Sequence, residues 1–479
     1  MRIAIIGGGA TGVGLAAHLA RALPARAAEI LVVEPNEILG RGLAYSTDDP
    51  RHLLNVRVGN MSVFADQPEH LLRWLERFGA PYGVASSTPF SFISRGAYGA
   101  YVADLARGLL SSGAIRHIRA RCVDLVEVDD SATLRLDTGC ELAVDRVALA
   151  TGNDAKPVLA GLPAEQPWTE AAFVGVDAFD PVLIVGTGLT MIDMALSLDR
   201  RGHRGNIVAL SRRGLLNSAH RPVAPRSLAA EAVPFGAELS ALTAWLRDLA
   251  ERMEREGLDW RSAVDVLRPH TPRLWRSMSL EQKRRFLRHA RPYWDVHRHR
   301  MAPEVERRIA ALRAAGRLEI VAGRLVGAER RADGIVVRIV RRDRRGEEVR
   351  RFARVVDCTG LADDPLRSPN PLIGALLRRG AARLDPLGIG LDVAESYALI
   401  DAAGRSSPCV SAVGPLARAA FWESVAIPDI RLQCRDLAEA LAKRFAEATR
   451  SSVSRRRPTG RDRARSHAPP VERSLPQEI

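Results

Sequence analysis

The start of the chain constrains its fold more than any other stretch. Arg2-Ile-Ala-Ile-Ile6 is a short apolar run, and Gly7-Gly-Gly-Ala-Thr-Gly12 follows it without a spacer. Residues 13–23 then carry helical periodicity, and Ile30-Leu-Val-Val33 reads as a second strand ending in Glu34. A continuous β-branched run is what a strand buried on both faces requires. The glycines fit G-x-G-x-x-G as Gly7, Gly9 and Gly12. The first permits a tight turn, the second lets a pyrophosphate approach the backbone, and the third lets helix pack on strand. The helix start offers free N–H groups and a positive dipole end to a phosphate. Glu34, 27 residues after Gly7, is placed to accept hydrogen bonds from a ribose. Glycines alone are a weak signal; strand, turn, helix and acid together predict dinucleotide binding.

The same device returns near residue 182. Val182-Leu-Ile-Val185 is a strand, Gly186-Thr-Gly188 the turn, Met191 to Leu198 a helix, and Ile207-Val-Ala-Leu210 the next strand. Gly186 to Arg212 spans 26 residues, within one of the first unit's spacing. Two units imply two dinucleotides, or one site and a decayed copy. Their strand ends differ in sign: Glu34 suits a free ribose diol, whereas Arg212 and Arg213 can clasp a 2′-phosphate. The split predicts FAD in the first unit and NADPH in the second, with NADH and a merely solvated arginine pair as the alternatives. Met191 stands where the third glycine belongs and is expected to crowd the helix against its strand.

Composition bounds the rest. Hydrophobic residues are 46% and charged ones 26% of 479 residues, which is globular and long enough for two or three domains. The formal net charge of +14 comes almost wholly from arginine spread along the chain, so no nucleic-acid partner is expected. Cys122, Cys140, Cys358, Cys409 and Cys434 form no CxxC pair, which argues for a reducing compartment, no structural zinc and no redox dithiol. No apolar run reaches the ~18–20 residues of a membrane span. Residues 3–23 are interrupted by glycines, His18 and Arg21, and read as fold and not as a signal peptide. A cytoplasmic protein is expected.

More specific motifs lie between and beyond the units. They include Gly40-Arg-Gly-Leu-Ala-Tyr-Ser-Thr47, Asp49-Pro-Arg-His-Leu-Leu-Asn-Val56, Ser94-Arg-Gly-Ala-Tyr98 and Asp145-Arg-Val-Ala-Leu-Ala-Thr-Gly152. Gly186-Thr-Gly-Leu-Thr-Met-Ile-Asp193, Ser211-Arg-Arg-Gly214 and Arg291-Pro-Tyr-Trp-Asp-Val-His-Arg-His299 continue the series. Over roughly residues 1–440 the chain resembles the bacterial FAD/NAD(P)-binding flavoproteins that include FAD-dependent urate hydroxylase and aspartate N-monooxygenase. The resemblance implies an α/β fold with two Rossmann-like domains, the NAD(P) domain inserted into the FAD domain. The expected parts are residues 1–165 and 331–445 for FAD, 166–330 for NAD(P) with a helical Arg-rich segment, and a disordered basic tail at 446–479. Ala148-Leu-Ala-Thr-Gly152 and Val355-Val-Asp-Cys-Thr-Gly360 resemble the strand ends where such proteins cross between domains. In the resembling proteins the flavin pyrimidine edge lies at the start of a late helix, here the one opened by Ile427-Pro-Asp-Ile-Arg-Leu-Gln433.

The resemblance further implies an enzyme: an NAD(P)H- and O2-using monooxygenase acting through a flavin C4a-hydroperoxide. Its substrate would be small, polar and anionic, urate-like or an amino acid. An NAD(P)H oxidase or dehydrogenase without oxygen insertion, and a non-catalytic dinucleotide-binding module, are the other readings. Candidate cofactor-binding residues are Gly7, Gly9, Gly12, Glu34, Arg41, Asn55, Arg95, Val123, Thr151, Gly152, Gly186, Gly188, Arg212, Arg213, Gly414 and Gln433. Cations crowd residues 291–300, and Arg291, His297 and Arg298 are read as lining a pocket for an anion, with an exposed basic turn as the plain alternative. Arg291 is the candidate substrate clamp and His52 the secondary candidate near the flavin. His297 and His299 are two apart and cannot share a helix face, so no metal is expected. Oligomeric state is not legible.

Overall fold

The first strand–turn–helix–strand unit is built as its residue pattern demands. β1 (Arg2–Ile6), α1 (Ala10–Ala22) and β2 (Glu29–Val33) follow one another, with β2 parallel to β1. Ile3 and Ile5 pack into one face of the sheet, Ala4 and Ile6 into the other, and all four are buried. Both faces are covered, which is why the run is apolar throughout instead of alternating. The structure, a computed structural model, describes residues 1–24, 27–153, 158, 161–343, 346–360 and 365–455.

α2 (His70–Phe78) and α3 (Arg95–Ser111) lead to β3 (Arg116–Ile118). β4 (Cys122–Val128), β5 (Ser131–Leu136) and β6 (Glu141–Val144) form a three-stranded antiparallel sheet, and β7 (Arg146–Leu149) returns beside β1. The second unit is β8 (Val182–Val185), α4 (Leu189–Arg200) and β9 (Ile207–Ser211). A helical stretch follows: α5 (Leu239–Arg255), α6 (Arg261–Leu267), α7 (Thr271–Ser277), α8 (Leu280–Arg285), α9 (Arg291–Arg298) and α10 (Pro303–Ala314). Ser279 and Gln282 cap α8 reciprocally, and a π-helical turn at Phe286–Ala290 joins it to α9. β10 (Leu318–Arg331), β11 (Gly334–Arg341), β12 (Glu347–Phe352) and β13 (Arg354–Asp357) come next. α11 (Pro371–Arg379), β14 (Ala398–Ile400), β15 (Ser406–Ala412), α12 (Arg418–Phe421) and α13 (Ile427–Arg455) complete the described chain.

Two six-stranded sheets result, in the orders β14-β15-β7-β1-β2-β3 and β12-β11-β10-β9-β8-β13. The fold is α/β, with a dinucleotide-type strand–turn–helix in each six-stranded sheet, on β1 in the first and on β8, beside the edge strand β13, in the second. The second sheet is wholly inserted in sequence between β7 and β15, which are parallel neighbours in the first. The crossing strands serve both turns alike: β7 runs into Ala150 beside Gly7, and β13 runs into Cys358 beside Gly186. The expected break after residue 330 falls inside β10, whose first half pairs with β9 and whose second half forms a hairpin with β11. The expected tail start at 446 falls inside α13, which runs to Arg455; residues 456–479 lie outside the described residues. Ile430, Cys434, Leu437 and Leu441 of α13 share one apolar cluster with α1. Among the described residues no helix is long and apolar enough to cross a membrane.

Candidate active site

A cavity of about 1050 Å³ opens over the first glycine turn. Gly7 adopts φ +107°, and a Cβ there would stand 2.5 Å from the carbonyl oxygen of Ala150. A Cβ on Gly12 would collide with the carbonyl oxygen of Gly7, so the third glycine is required for helix to sit on strand. Gly9 differs: its added Cβ would meet only Gly42, at 3.6 Å, on the cavity side. Gly9 also caps α1 with no side chain, and the first turn of α1 carries no acid, so its N–H groups and dipole are left for an anion. Arg41 lines the same cavity, and its buried Nε has no hydrogen-bond partner among the described residues. These features fit a dinucleotide pyrophosphate. Glu34 ends β2 at the cavity, where it accepts the Gly8 N–H at 2.8 Å and the Asn36 amide at 2.6 Å.

Of the remaining sequence candidates for the first site, Arg95, Thr151, Gly152 and His52 line this cavity. Gly414 and Gln433 do not line it but bond each other, the Gly414 N–H donating to Gln433 Oε1 at 2.9 Å. That bond holds a left-handed turn (φ +74°) from which Pro415 faces the cavity. Asn55 lies outside the lining, and its carbonyl accepts from His220 Nε2 at 3.0 Å. Val123 sits at the irregularity of β4, half-buried in the three-stranded sheet and away from the cavity lining.

His52 is buried and fully engaged. Its Nδ1 lies 2.9 Å from Thr47 Oγ1, and its Nε2 lies 2.8 Å from Ser197 Oγ and 3.1 Å from the Asp193 carbonyl. Ser197 and Asp193 belong to α4, so His52 ties the first unit to the second instead of standing free as a base. Arg95 approaches the buried Asp193 carboxylate at 3.3 Å. Burial pushes the Asp193 carboxyl above its ordinary value, against the opposing pull of Arg95 and His52. The motif ending at Asp193 contained this residue, but nothing in its spacing marked it as a partner of Arg95. Thr190, inside the motif at 186–193 but not singled out there, also lines the cavity, as do Trp168 and Arg200, which carry no sequence signal.

The second unit repeats the geometry. A Cβ on Gly186 (φ +120°) would collide with the Cys358 carbonyl, and Gly188 caps α4 with no side chain. Met191 is fully buried and accommodated in an apolar cluster with Ile184, Met194 and Cys358. Gly188, Ser211, Arg212 and Arg213 line a small cavity of about 200 Å³, and the Arg213 guanidinium lies 5.6 Å from the Tyr293 ring centre.

The cationic pocket expected around residues 291–300 is not formed. The segment is neither an exposed basic turn nor a bare cluster: it is α9, and acids both within the helix and from distant elements pair with its arginines. Arg298 is buried against Glu423 at 2.9 Å, and Arg300 against Asp265. His297 bonds the Tyr293 carbonyl, and Arg291 pairs with Asp295 at 3.3 Å with its guanidinium 5.8 Å from the Trp422 ring. Arg291 is not among the residues lining the large cavity. Counter-charges at 265 and 423 are invisible to a local reading of 291–300.

With the geometry in place, the comparisons sharpen it. Residues 4–154 match the FAD-NAD(P)-binding family. No curated protein matches the chain. Among solved structures it is similar to an ornithine N-hydroxylase of Kutzneria sp. 744, at 16% identity and TM-score 0.61, covering 92% of this chain and 99% of that one. It is similar to an L-lysine 6-monooxygenase of Pseudomonas syringae, at 15% identity and TM-score 0.62, again covering 92% and 99%. A cadaverine monooxygenase of Erwinia amylovora bound to FAD is 15% identical, with TM-score 0.58, covering 98% and 99%. At these identities the likeness is one of fold, over nearly the whole of both chains.

Proposed function

We propose that the chain is a flavin-dependent monooxygenase that uses NAD(P)H and O2 to hydroxylate a small molecule. One observation carries the reading: both units face a single cavity. The Gly7–Gly12 turn and Glu34 line one side of it, Thr190, Ser197 and Arg200 of α4 another, and Ile427 and Ile430 at the start of α13 a third. Hydride transfer between two dinucleotides needs such a shared space. The fold neighbours support the reading: they are an ornithine N-hydroxylase, with reduced FAD and NADP+, an L-lysine 6-monooxygenase and a cadaverine monooxygenase. The likeness to urate hydroxylase and aspartate N-monooxygenase rests on the sequence motifs alone.

In this reading the N–H groups at the start of α1 and Arg41 hold the FAD pyrophosphate, and Glu34 holds the ribose. Gly186, Gly188, Arg212 and Arg213 hold the nicotinamide dinucleotide at the second turn. Bound there, FAD would supply the hydride-accepting and O2-activating chemistry. The balance is NAD(P)H, H+, O2 and substrate giving NAD(P)+, water and hydroxylated substrate. His52, Ser197, Arg95 and Asp193 hold the units at a fixed separation across the cavity. The start of α13 presents a positive dipole end, which favours negative charge there. Arg291, the expected clamp for an anionic substrate, pairs with Asp295 and stands outside the lining of this cavity.

The purified protein should be yellow and should consume NAD(P)H faster when a true substrate is added, with product formed in step. Oxidation ending in peroxide whatever is added would make it an oxidase. Colourless protein that binds a nucleotide without turnover would make it a binding module.

A further inference from the structure

A second cavity, of about 790 Å³, lies within the helical stretch. That volume falls in the range of small-molecule sites, roughly 300–1,000 Å³. Its walls are apolar, and Trp260, Trp275, Trp294 and Trp422 stand in them. Two backbone irregularities converge on it. Phe286 and His289, which face it, belong to the π-helical turn, and such turns concentrate at functional sites. Trp422 has φ +57° and ψ −64°, and the Glu423 N–H closes a γ-turn onto the Phe421 carbonyl at 2.7 Å. A bulky side chain is held in that region only where its surroundings over-determine it. Here they do: Trp422 stacks on Trp275 at 4.5 Å and meets Phe286 edge-on at 5.2 Å.

The same short segment reaches both cavities. Trp422 lines the apolar one, while Val425 and Ile427 line the nucleotide cavity. Between them stand Glu423 and Ser424, only 2% and 1% exposed. Arg298 takes up Glu423 Oε2, but the buried Glu423 Oε1 and Ser424 Oγ have no hydrogen-bond partner among the described residues. Glu423 and Ser424 line neither cavity, but they belong to the segment that reaches both, and buried polar atoms left without partners there are what a ligand's polar group would satisfy.

We propose that the tryptophan-lined cavity is the substrate site of the monooxygenase reading above, and that its substrate is a small aromatic molecule with one hydrogen-bond-donating group. The ring packs among the tryptophans, and the donor turns towards the Glu423–Ser424 segment, which continues to Val425 and Ile427 at the nucleotide cavity. An amine and an alcohol share this chemistry; an amine adds cation–π attraction to the indoles.

The test is isothermal titration of the FAD-loaded protein with phenethylamine and with 2-phenylethanol, against urate and L-ornithine as controls. At least one phenyl probe should bind saturably and the controls should not; tighter binding of the amine would assign the donor as ammonium, of the alcohol as hydroxyl. Ala244→Trp, which fills the cavity from an exposed position of α5, should weaken that binding roughly tenfold or more while FAD content is unchanged. Thr243→Phe on the same helix is the second filling variant. No saturable binding of either probe, or equal binding by wild type and both variants, overturns the proposal. NAD(P)H oxidation coupled to urate or L-ornithine but to no aromatic compound overturns it and leaves the monooxygenase reading standing. Aromatic binding lost in the variants, with no compound ever coupled to oxidation, overturns the monooxygenase reading instead.

Discussion

One added methyl group separates the glycines of the first turn by their work. At Gly12 the new Cβ would collide with the Gly7 carbonyl and press on Ile5, so strand and helix would have to part. Overpacking of this kind costs about 1–3 kcal/mol, and Gly12→Ala should therefore lower the melting temperature even of cofactor-free protein. At Gly9 the space is open apart from Gly42, so Gly9→Val should fold but block the approach of a pyrophosphate. The purified Gly9→Val protein is expected to be folded and colourless. A folded variant that keeps stoichiometric FAD would move the flavin away from this turn. His52 makes the converse point. Read as a candidate beside the flavin, it does line the cavity, yet both ring nitrogens are spent on Thr47, Ser197 and the Asp193 carbonyl.

Among the elements, the end of β9 is where the proposed preference for NADPH is tested. Arg212 and Arg213 stand there with the uncapped start of α4, and this is the geometry a 2′-phosphate needs. Replacing both by Ala should raise the KM for NADPH well beyond that for NADH, by about the 1–3 kcal/mol of lost charge-assisted bonding. Equal effects on the two, in steady-state kinetics, would return the pair to solvent. Met191 shows why the missing third glycine did not prevent the unit from forming. Its side chain enters the apolar cluster of the second sheet, so burial replaces close backbone contact. The expected boundary at residue 330 falls inside β10, where pairing with β9 and then with β11 carries one strand across it.

Across the molecule, the two units are joined by polar contacts as well as by chain. Arg51 meets Asp199 at 3.0 Å, Arg95 meets Asp193, and His220 donates to the Asn55 carbonyl. Burial pushes the His220 imidazole down to about 4. Its folded form is thus neutral, while the unfolded chain takes up the proton more readily. The stability this group contributes is complete above about pH 6.5 and is lost as the pH falls towards 4, a loss on the order of 3 kcal/mol. Melting temperature should therefore drop over that window, and His220→Gln, which keeps an N–H donor but cannot titrate, should show a shallower drop. Parallel curves for the two proteins would remove His220 as the cause.

The primary structure alone determined both glycine turns, their strands and helices, the carboxylate on the first and the arginines on the second. Each of these depends on residues within about thirty positions of one another, where backbone sterics and helix dipoles act locally. The same local reading placed cations at 291–300 but could not see Asp265 and Glu423, which neutralise Arg300 and Arg298. It placed Asn55 and Val123 with the cofactor, although one bonds His220 and the other lies in the three-stranded sheet. It also gave no sign of the tryptophan cavity, whose walls come from residues 239–297 and from Trp422. Charge neutralisation and cavity shape are properties of through-space neighbours, so only the tertiary structure could decide them.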